Sequence, residues 1–157
     1  MSADRTHDKV RIVVGVDGSP PSRAALRWAA RQARLTGGTV DAVIAWQTPA
    51  VLQSYGWAPV YVEEQGDFRD LAGKTLASVI SEEIAPADKD LVRGQVVNGD
   101  PAQVLLDAAQ GAGLLVVGSR GHGGFAAALL GSVGQHCVHH APCPVLIMRG
   151  EQVQAAA

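Results

Sequence analysis

The sequence predicts an α/β fold in which helices cover both faces of a parallel sheet. Short apolar runs rich in β-branched residues alternate with longer segments in which apolar residues recur at helical spacing. The chain has 157 residues, of which 47% are hydrophobic and 18% are charged, enough for one domain with a full core. The sequence contains no internal repeat and no visible domain boundary, so we expect a single domain.

The first half of the chain supplies two predicted strands and one helix. Residues 10–16 read VRIVVGV, which is typical of a strand buried on both faces. The turn Asp17-Gly18-Ser19 breaks this strand and offers N-caps to a helix that Gly37-Gly38 ends. Residues 39–46, TVDAVIAW, form the second predicted strand. The arginine stripe of the helix indicates a solvated face, because no motif for nucleic-acid binding accompanies it; its members are Arg23, Arg27, Arg31 and Arg34.

A long segment, residues 47–67, follows the second strand and is predicted to be a loop. Loops of this length in a compact domain are usually functional or disordered. This one leaves the carboxyl end of a strand, where open α/β sheets bind ligands. Tyr55, Trp57 or Tyr61 could cover a bound base as a lid, or the segment could be a hydrophobic plug or a dimer contact. Both interpretations stay open.

The second half continues the alternation of helix and strand. A long helix with an apolar stripe is expected to end at Pro86, and residues 91–97 form a third strand weakened by Gly94. Asp100 is a natural N-cap with Pro101 at the first helical position of the next helix. The apolar stripe of the long helix consists of Ala72, Leu76, Val79, Ile80 and Ile84.

The stretch 114–133, LLVVGSRGHGGFAAALLGSV, is the strongest functional signal in the chain. A buried strand, residues 114–117, stops at Gly118, and the spacing continues as Gly118-x2-Gly121-x9-Gly131-Ser132. Glycines let backbone N–H groups approach a phosphate, and a helix N-terminus adds unpaired donors and a favourable dipole. The stretch therefore predicts a nucleotide-binding loop. It is followed by a last helix from 132 to about 140 and a final strand over 144–148.

The same spacing resembles the ATP-binding motif of the universal stress protein family. Two other parts of the chain resemble that family too. They are the end of the first strand, Val16-Asp17-Gly18-Ser19, and the C-terminal run Pro142-Cys143-Pro144-Val145-Leu146-Ile147. The resemblance covers residues 9–149, which leaves polar tails at 1–8, interpreted as disordered, and at 150–157. It implies a doubly wound five-stranded parallel sheet in the order 3-2-1-4-5, with ATP held between strands one and four.

The resemblance also implies roles for individual residues. Asp17 would bind the adenosine part, and the backbone of Ala45 would meet the adenine edge. Val117 and Gly118 would line the ribose. The phosphates would be held by backbone N–H groups of Gly121, Gly131, Ser132 and Val133, with Arg120 and His122 within reach of the polyphosphate tail. Mg²⁺ or Mn²⁺ would accompany the triphosphate and would be held mainly by its oxygens.

Other chemistries fit the sequence less well. No Gly-x4-Gly-Lys-Ser/Thr loop occurs, and residues 121–126 match the dinucleotide pattern in the wrong place, without the acidic residue it requires. The histidines and cysteines between 136 and 143 lack the spacing of a zinc site. No catalytic triad or carboxylate pair is visible. A regulatory ATP binder in the stress response is the leading hypothesis; a slow ATP hydrolase and a nucleotide-free dimeric scaffold are the alternatives.

Composition limits the partners and the compartment. A net charge of −2 favours neither nucleic acid nor anionic membrane. No apolar run reaches transmembrane length, the N-terminus MSADRTHDK lacks the apolar core of a signal peptide, and two cysteines are too few for a secreted disulfide framework. We therefore expect a cytoplasmic protein. The apolar last strand lies at a sheet edge in the family's order, which predicts a homodimer through that strand.

Overall fold

The computed structural model describes residues 9–48, 62–120 and 130–150. Within these ranges five strands form one sheet in the order β3-β2-β1-β4-β5, and all neighbours are parallel. The predicted strand order is confirmed. The strands are β1 (Arg11–Gly15), β2 (Thr39–Trp46), β3 (Val92–Asn98), β4 (Leu114–Gly118) and β5 (Val145–Met148).

Helices pack on both faces of the sheet, as predicted. They are α1 (Pro20–Thr36), α2 (Val62–Glu83), α3 (Pro101–Ala108) and α4 (Ser132–His140), with a short 3-10 helix at Pro86–Leu91. One core cluster joins the sheet to α1 and α2, and a second joins it to α3 and α4. None of the helices within the described ranges combines the length and apolar character needed to cross a membrane.

Strand β1 shows how a central parallel strand serves two cores. Ile12 and Val14 belong to the cluster with α1 and α2, whereas Val13 between them belongs to the opposite cluster. All three are at most 3% exposed. Successive side chains of a strand point to opposite faces, so a strand covered on both faces must be apolar at every position. The run VRIVVGV has this composition.

The helices that begin at the carboxyl edge of the sheet start in two different ways. Ser19 caps α1 by accepting a hydrogen bond from the Ser22 amide at 3.4 Å, and Asp100 caps α3 by accepting from the Gln103 amide at 3.2 Å. A proline follows each cap. Helix α4 has Gly131 at its N-cap, with no side-chain hydrogen bond to its first amides. Its beginning therefore differs from those of α1 and α3.

Helix α3 is also fixed at its far end, by Arg11 of β1. The Arg11 guanidinium donates to the carbonyl oxygens of Ala108 and Gln110, at 3.0 and 2.7 Å, and to buried Asp41 at 3.0 Å. A cation at the C-terminus of a helix donates to carbonyl oxygens that have no partner within the helix, and it interacts favourably with the helix dipole. Helix α3 is thus held at one end by Asp100 and at the other by β1.

One expectation about the connections was wrong. The last six residues of the predicted loop 47–67 are helical, because α2 already begins at Val62. Within this helix Gly66 lies on the exposed surface, where an added Cβ would meet open space. Tyr55, Trp57 and Tyr61 lie outside the described residues. Gly94 of β3 also has a packing role, since a Cβ there would come within 3.1 Å of Leu76 of α2.

The arginine stripe of α1 is not simply a solvated face. Arg23 lies 2.7 Å from Glu82 and 3.2 Å from Glu83, and Arg27 binds Glu83 at 2.5 Å. At the other end of α1, Arg34 lies 3.2 Å from Asp88 of the 3-10 helix. The sequence spacing could not show these pairs, because the acidic partners are more than 50 residues away. The stripe joins α1 to the end of α2.

We predict that Glu83→Gln lowers stability in a pH-dependent way. The hydrogen bond from Arg27, followed by that from Arg23, lowers the pKa of Glu83 from 4.5, although burial opposes the shift. A lowered folded-state pKa contributes stability that is complete above pH 4.5 and is lost as the pH falls through the lowered value. Urea denaturation should show Glu83→Gln about 1 kcal/mol less stable than wild type at pH 7, with the difference closing in acid. A difference that persists unchanged at pH 3 would contradict the ion-pair explanation.

Candidate nucleotide-binding site

A cavity of about 330 Å³ opens at the carboxyl edge of the sheet, where β1 and β4 lie side by side. The chain leaves β1 towards α1 on one face of the sheet, and α4, which follows β4 in the chain, packs on the other face. A crevice at such a topological switch point is where open α/β sheets bind ligands. Its volume lies at the lower end of the range of roughly 300–1,000 Å³ seen for ligand pockets.

The cavity brings together eight of the nine residues predicted from the sequence to bind a nucleotide. The ninth, Gly121, lies outside the described residues, as does His122. The eight that line the cavity are Asp17, Ala45, Val117, Gly118, Arg120, Gly131, Ser132 and Val133.

Asp17 lies in the turn between β1 and α1 and has a structural role there. Its Oδ1 accepts hydrogen bonds from the Ser19 amide at 2.9 Å and from the Ser19 hydroxyl at 2.5 Å. Gly18 between them has a φ of +83°, a left-handed conformation that favours glycine. The bonds from Ser19 close the turn, so the carboxylate has a role in the fold in addition to the predicted one in binding.

The backbone of Ala45 points towards the crevice. The Val43 carbonyl accepts from the Val16 amide, whereas the Trp46 carbonyl accepts from the Gly99 amide beyond β3. Since backbone groups alternate between the two sides of a strand, the N–H and C=O of Ala45 point to the same side as those of Val43. The pairing of β1 with β2 ends at Gly15 and Val43. Ala45 therefore presents its polar groups beyond the end of β1.

Gly118 is required by the packing of β4 against α1. A Cβ at this position would lie 2.8 Å from Pro21 Cβ and 3.0 Å from the Ser22 amide nitrogen. Distances this short to a proline ring and to backbone leave no room for a side chain. Gly118 thus allows the first turn of α1 to approach the end of β4, and this close approach narrows the crevice whether or not a ligand is bound.

The first turn of α4 offers amide donors to the cavity. Ser132, Val133 and Gly134 begin the helix, and the first N–H groups of an α-helix have no partner within it. The Gly131 amide instead donates to the Ser119 carbonyl at 2.7 Å, so this amide, which was expected to bind a phosphate, already has a partner within the protein. Gly131 has φ −68° and ψ 165°. Any residue adopts this conformation, so the backbone by itself would not strain a larger residue at this position.

The cavity combines an apolar floor with few charges. Val43, Leu105 and Val117 belong to the core cluster under α3 and α4 and also line the cavity. Asp17 and Arg120 are the charged side chains among the described lining residues. An apolar floor with a few polar groups at the rim is typical of a site for a small organic ligand.

The histidines and cysteines of α4 and the following segment do not form a metal centre within the described ranges. No three His, Cys, Asp or Glu side chains there are close enough to hold an ion. The His136 and His140 rings lie with centroids 4.6 Å apart. Cys137 is fully buried, and burial raises the pKa of its thiol to about 11. Burial also raises the pKa of Cys143, so both thiols are poor nucleophiles at neutral pH.

Several lining residues were not predicted from the sequence. Two of them carried a usable signal: Val43 shares a face of β2 with Ala45, and Pro101 opens a helix directly after β3. The others come to the cavity through packing that the sequence does not show. The seven unpredicted lining residues are Gly15, Val16, Ser22, Val43, Pro101, Leu105 and Gly134.

Solved structures with the same fold include several universal stress proteins. The structure of hypothetical protein MJ0577 aligns with a TM-score of 0.74 at 19% identity, covering 91% of this chain and 97% of the other. A universal stress protein of Archaeoglobus fulgidus in complex with dAMP has a TM-score of 0.56 at 25% identity, with coverage of 88% and 97%. A universal stress protein in complex with cAMP has a TM-score of 0.57 at 24% identity, with coverage of 91% and 98%.

Curated relatives at higher identity are found in mycobacteria. A universal stress protein of Mycolicibacterium smegmatis is 35% identical over 144 residues, which cover 91% of this chain and 47% of the relative. Universal stress protein Rv1996 of Mycobacterium tuberculosis is 30% identical over 164 aligned residues, covering 96% of this chain and 51% of the relative. The chain spans about half the length of the curated relatives it matches. The sequence model of the universal stress protein family matches residues 10–149, and the chain therefore belongs to the universal stress protein family.

Proposed function

We propose that this protein binds ATP in the cavity between β1 and β4 and that the nucleotide acts as a regulatory ligand in the stress response. The observation that carries the proposal is the convergence of eight predicted binding residues on one cavity next to the uncapped N-terminus of α4. Complexes of two solved universal stress proteins with cAMP and dAMP support an adenine nucleotide as the class of ligand.

The adenosine part fits the end of the cavity formed by β1 and β2. The outward backbone groups of Ala45 supply one donor and one acceptor for the edge of a base, and its methyl side chain leaves space beside them. Val43, Leu105 and Val117 provide apolar surface for a ring. The Asp17 carboxylate suits ribose hydroxyls, which donate hydrogen bonds, better than it suits an anionic phosphate.

The phosphates fit the opposite end, at the start of α4. The amides of Ser132, Val133 and Gly134 point out of the helix N-terminus, where the dipole favours an anion. The Ser132 hydroxyl and the Arg120 guanidinium add donors at the rim. Mg²⁺ or Mn²⁺ would accompany a triphosphate and would neutralise its charge. The described residues offer no set of carboxylates for the ion, so its ligands would be phosphate oxygens and water.

A regulatory role fits the site better than rapid catalysis. Asp17 is the carboxylate among the described lining residues, and two hydrogen bonds from Ser19 hold its Oδ1 in the turn. A general base for hydrolysis must lie within hydrogen-bond reach of the water that attacks the terminal phosphate, whereas Asp17 is assigned here to the adenosine end of the site. We therefore propose binding without efficient turnover, and the cytoplasm stays the compartment predicted from the sequence.

The Gly131→Val substitution should lower ATP affinity at least about a hundredfold, because the isopropyl group occupies phosphate space. The backbone at φ −68° accepts valine, so the protein should fold normally. Titration calorimetry with Mg-ATP measures the loss. Gly66→Val, on the exposed surface of α2, is the matched control and should bind like wild type. Normal ATP affinity in folded Gly131→Val protein would refute the proposed phosphate site.

Substitutions of Asp17 should separate its turn-closing role from a ligand role. Asp17→Asn keeps an oxygen that can accept from the Ser19 amide and removes the charge, so about a threefold loss of ATP affinity is expected. Asp17→Ala also removes the oxygen that accepts from Ser19 and should lower ATP affinity about tenfold or more. Calorimetric titrations of both variants, with thermal unfolding recorded in parallel, measure the two effects. If both variants bind ATP like wild type, Asp17 does not contact the nucleotide.

We also propose a homodimer that pairs the edges of the two β5 strands. On the side of β5 that faces β4, two backbone hydrogen bonds join the strands. The Leu115 amide donates to the Pro144 carbonyl, and the Ser119 amide donates to the Met148 carbonyl. By alternation, the backbone groups of Val145 and Ile147 point to the outer side. An apolar strand with outward donors and acceptors tends to recruit another strand.

The Val145→Pro substitution should weaken this dimer selectively. It removes one outward N–H and leaves the inward bonds of β5 in place, a position where a strand tolerates proline. Light scattering at tens of micromolar, an order-of-magnitude range for weak association, should show a dimeric mass for wild type and a monomeric mass for the variant. A monomeric wild type at that concentration would remove the proposal.

A further inference from the structure

Arg23 connects the Asp17-Gly18-Ser19 turn to helix α2. Its Nε donates to the Gly18 carbonyl at 3.1 Å. Its Nη1 donates to Glu82 at 2.7 Å and to Glu83 at 3.2 Å, and these two residues end α2. The side chain is 27% exposed and does not line the cavity. One guanidinium therefore bonds the turn beside the cavity and a helix that covers the sheet.

The turn needs such a contact because its central residue is glycine. Gly18 adopts φ +83°, and glycine loses more conformational freedom on ordering than any other residue. Asp17 and Ser19 bond to each other across the turn, and Ser22 accepts from the Asp17 amide at 3.3 Å. These bonds are local. The Arg23 contact adds a point of attachment to an element 59 residues further along the chain.

The geometry of the contact requires arginine. A guanidinium is planar and presents donors in several fixed directions, so Nε can bind the carbonyl while Nη1 binds the carboxylates. A lysine carries one flexible ammonium group and cannot hold the same two sites in that rigid arrangement. The glutamates keep the guanidinium against the turn instead of in solvent, because charge-assisted hydrogen bonds are the stronger ones.

We propose that Arg23 is a positioning residue for the nucleotide, which holds the Gly18 carbonyl, and with it the Asp17 carboxylate, at the cavity, while Glu82 and Glu83 hold its guanidinium. The inference rests on the proposed nucleotide site and deepens it. The inference also gives α2 a part in nucleotide binding. A displacement of its C-terminal end would move the Arg23 side chain and, through it, the Asp17-Gly18-Ser19 turn. Neither the glycine motif nor the cavity lining includes this residue.

The test is Arg23→Lys, with Arg34→Lys as the matched control. Arg34 lies near the other end of α1 and pairs with Asp88 at 3.2 Å, so the control alters an ion pair of the same helix away from the turn. Titration calorimetry should show ATP affinity reduced roughly threefold to tenfold in Arg23→Lys, the effect of one hydrogen bond acting through the turn. Arg34→Lys should bind like wild type. A Glu82→Gln/Glu83→Gln protein keeps the Gly18 contact available and should show a smaller loss.

Hydrogen exchange supplies a readout that needs no ligand. The Ser19 amide is bonded to Asp17 inside the turn, and its exchange should become severalfold faster in Arg23→Lys and stay unchanged in Arg34→Lys. Unchanged affinity together with unchanged exchange in Arg23→Lys overturns the inference. If wild-type protein binds no ATP, the proposed function fails, and the positioning of a nucleotide by Arg23 fails with it. Faster exchange of the Ser19 amide in Arg23→Lys would in that case show only that Arg23 holds the turn in place.

Discussion

The parallel pairing of β1 with β4 is the constraint on which the rest of the molecule depends. Val14 pairs with Ala42 of β2 on one side and with Val116 of β4 on the other, at the centre of the sheet. The elements that follow the two strands in the chain lie on opposite faces, α1 on one and α4 on the other. Open α/β sheets form a crevice at the point where the chain leaves neighbouring strands towards opposite faces. The crevice is therefore a consequence of strand order, and the ends of β1 and β4 line it together with residues of β2, α3 and α4.

Close packing brings the helix starts to this crevice. Gly118 admits the first turn of α1, and a Cβ at Gly15 would lie 2.8 Å from Leu105 of α3. These glycines serve the fold and the cavity at once, so their presence alone does not argue for a ligand. Gly131 differs from them. Its dihedral angles suit any residue, so the backbone conformation gives no reason for glycine there.

Charged side chains stabilise the periphery of the sheet while its centre is apolar. Arg11 and buried Asp41 join β1, β2 and the end of α3 at the amino edge. Arg23 and Arg27 join α1 to the end of α2. Each group of ion pairs links elements that are distant in sequence, and each leaves the cavity free of additional charge. Asp17 and Arg120 are the charged side chains among the described residues of the cavity.

The sequence by itself determined the alternation of strands and helices, the helix caps and the glycine spacing, because these are local properties. The mainly apolar run 39–46 and Asp100 before Pro101 can be recognised without any long-range contact. The strand order and the membership of the cavity were anticipated through family resemblance and not through periodicity. Only the tertiary structure decided that Asp17 closes its own turn, that the Gly131 amide binds Ser119, and that Arg23 reaches Glu82 and Glu83. Each of these is a choice of hydrogen-bond partner, and such choices depend on where the backbone places donors and acceptors in space.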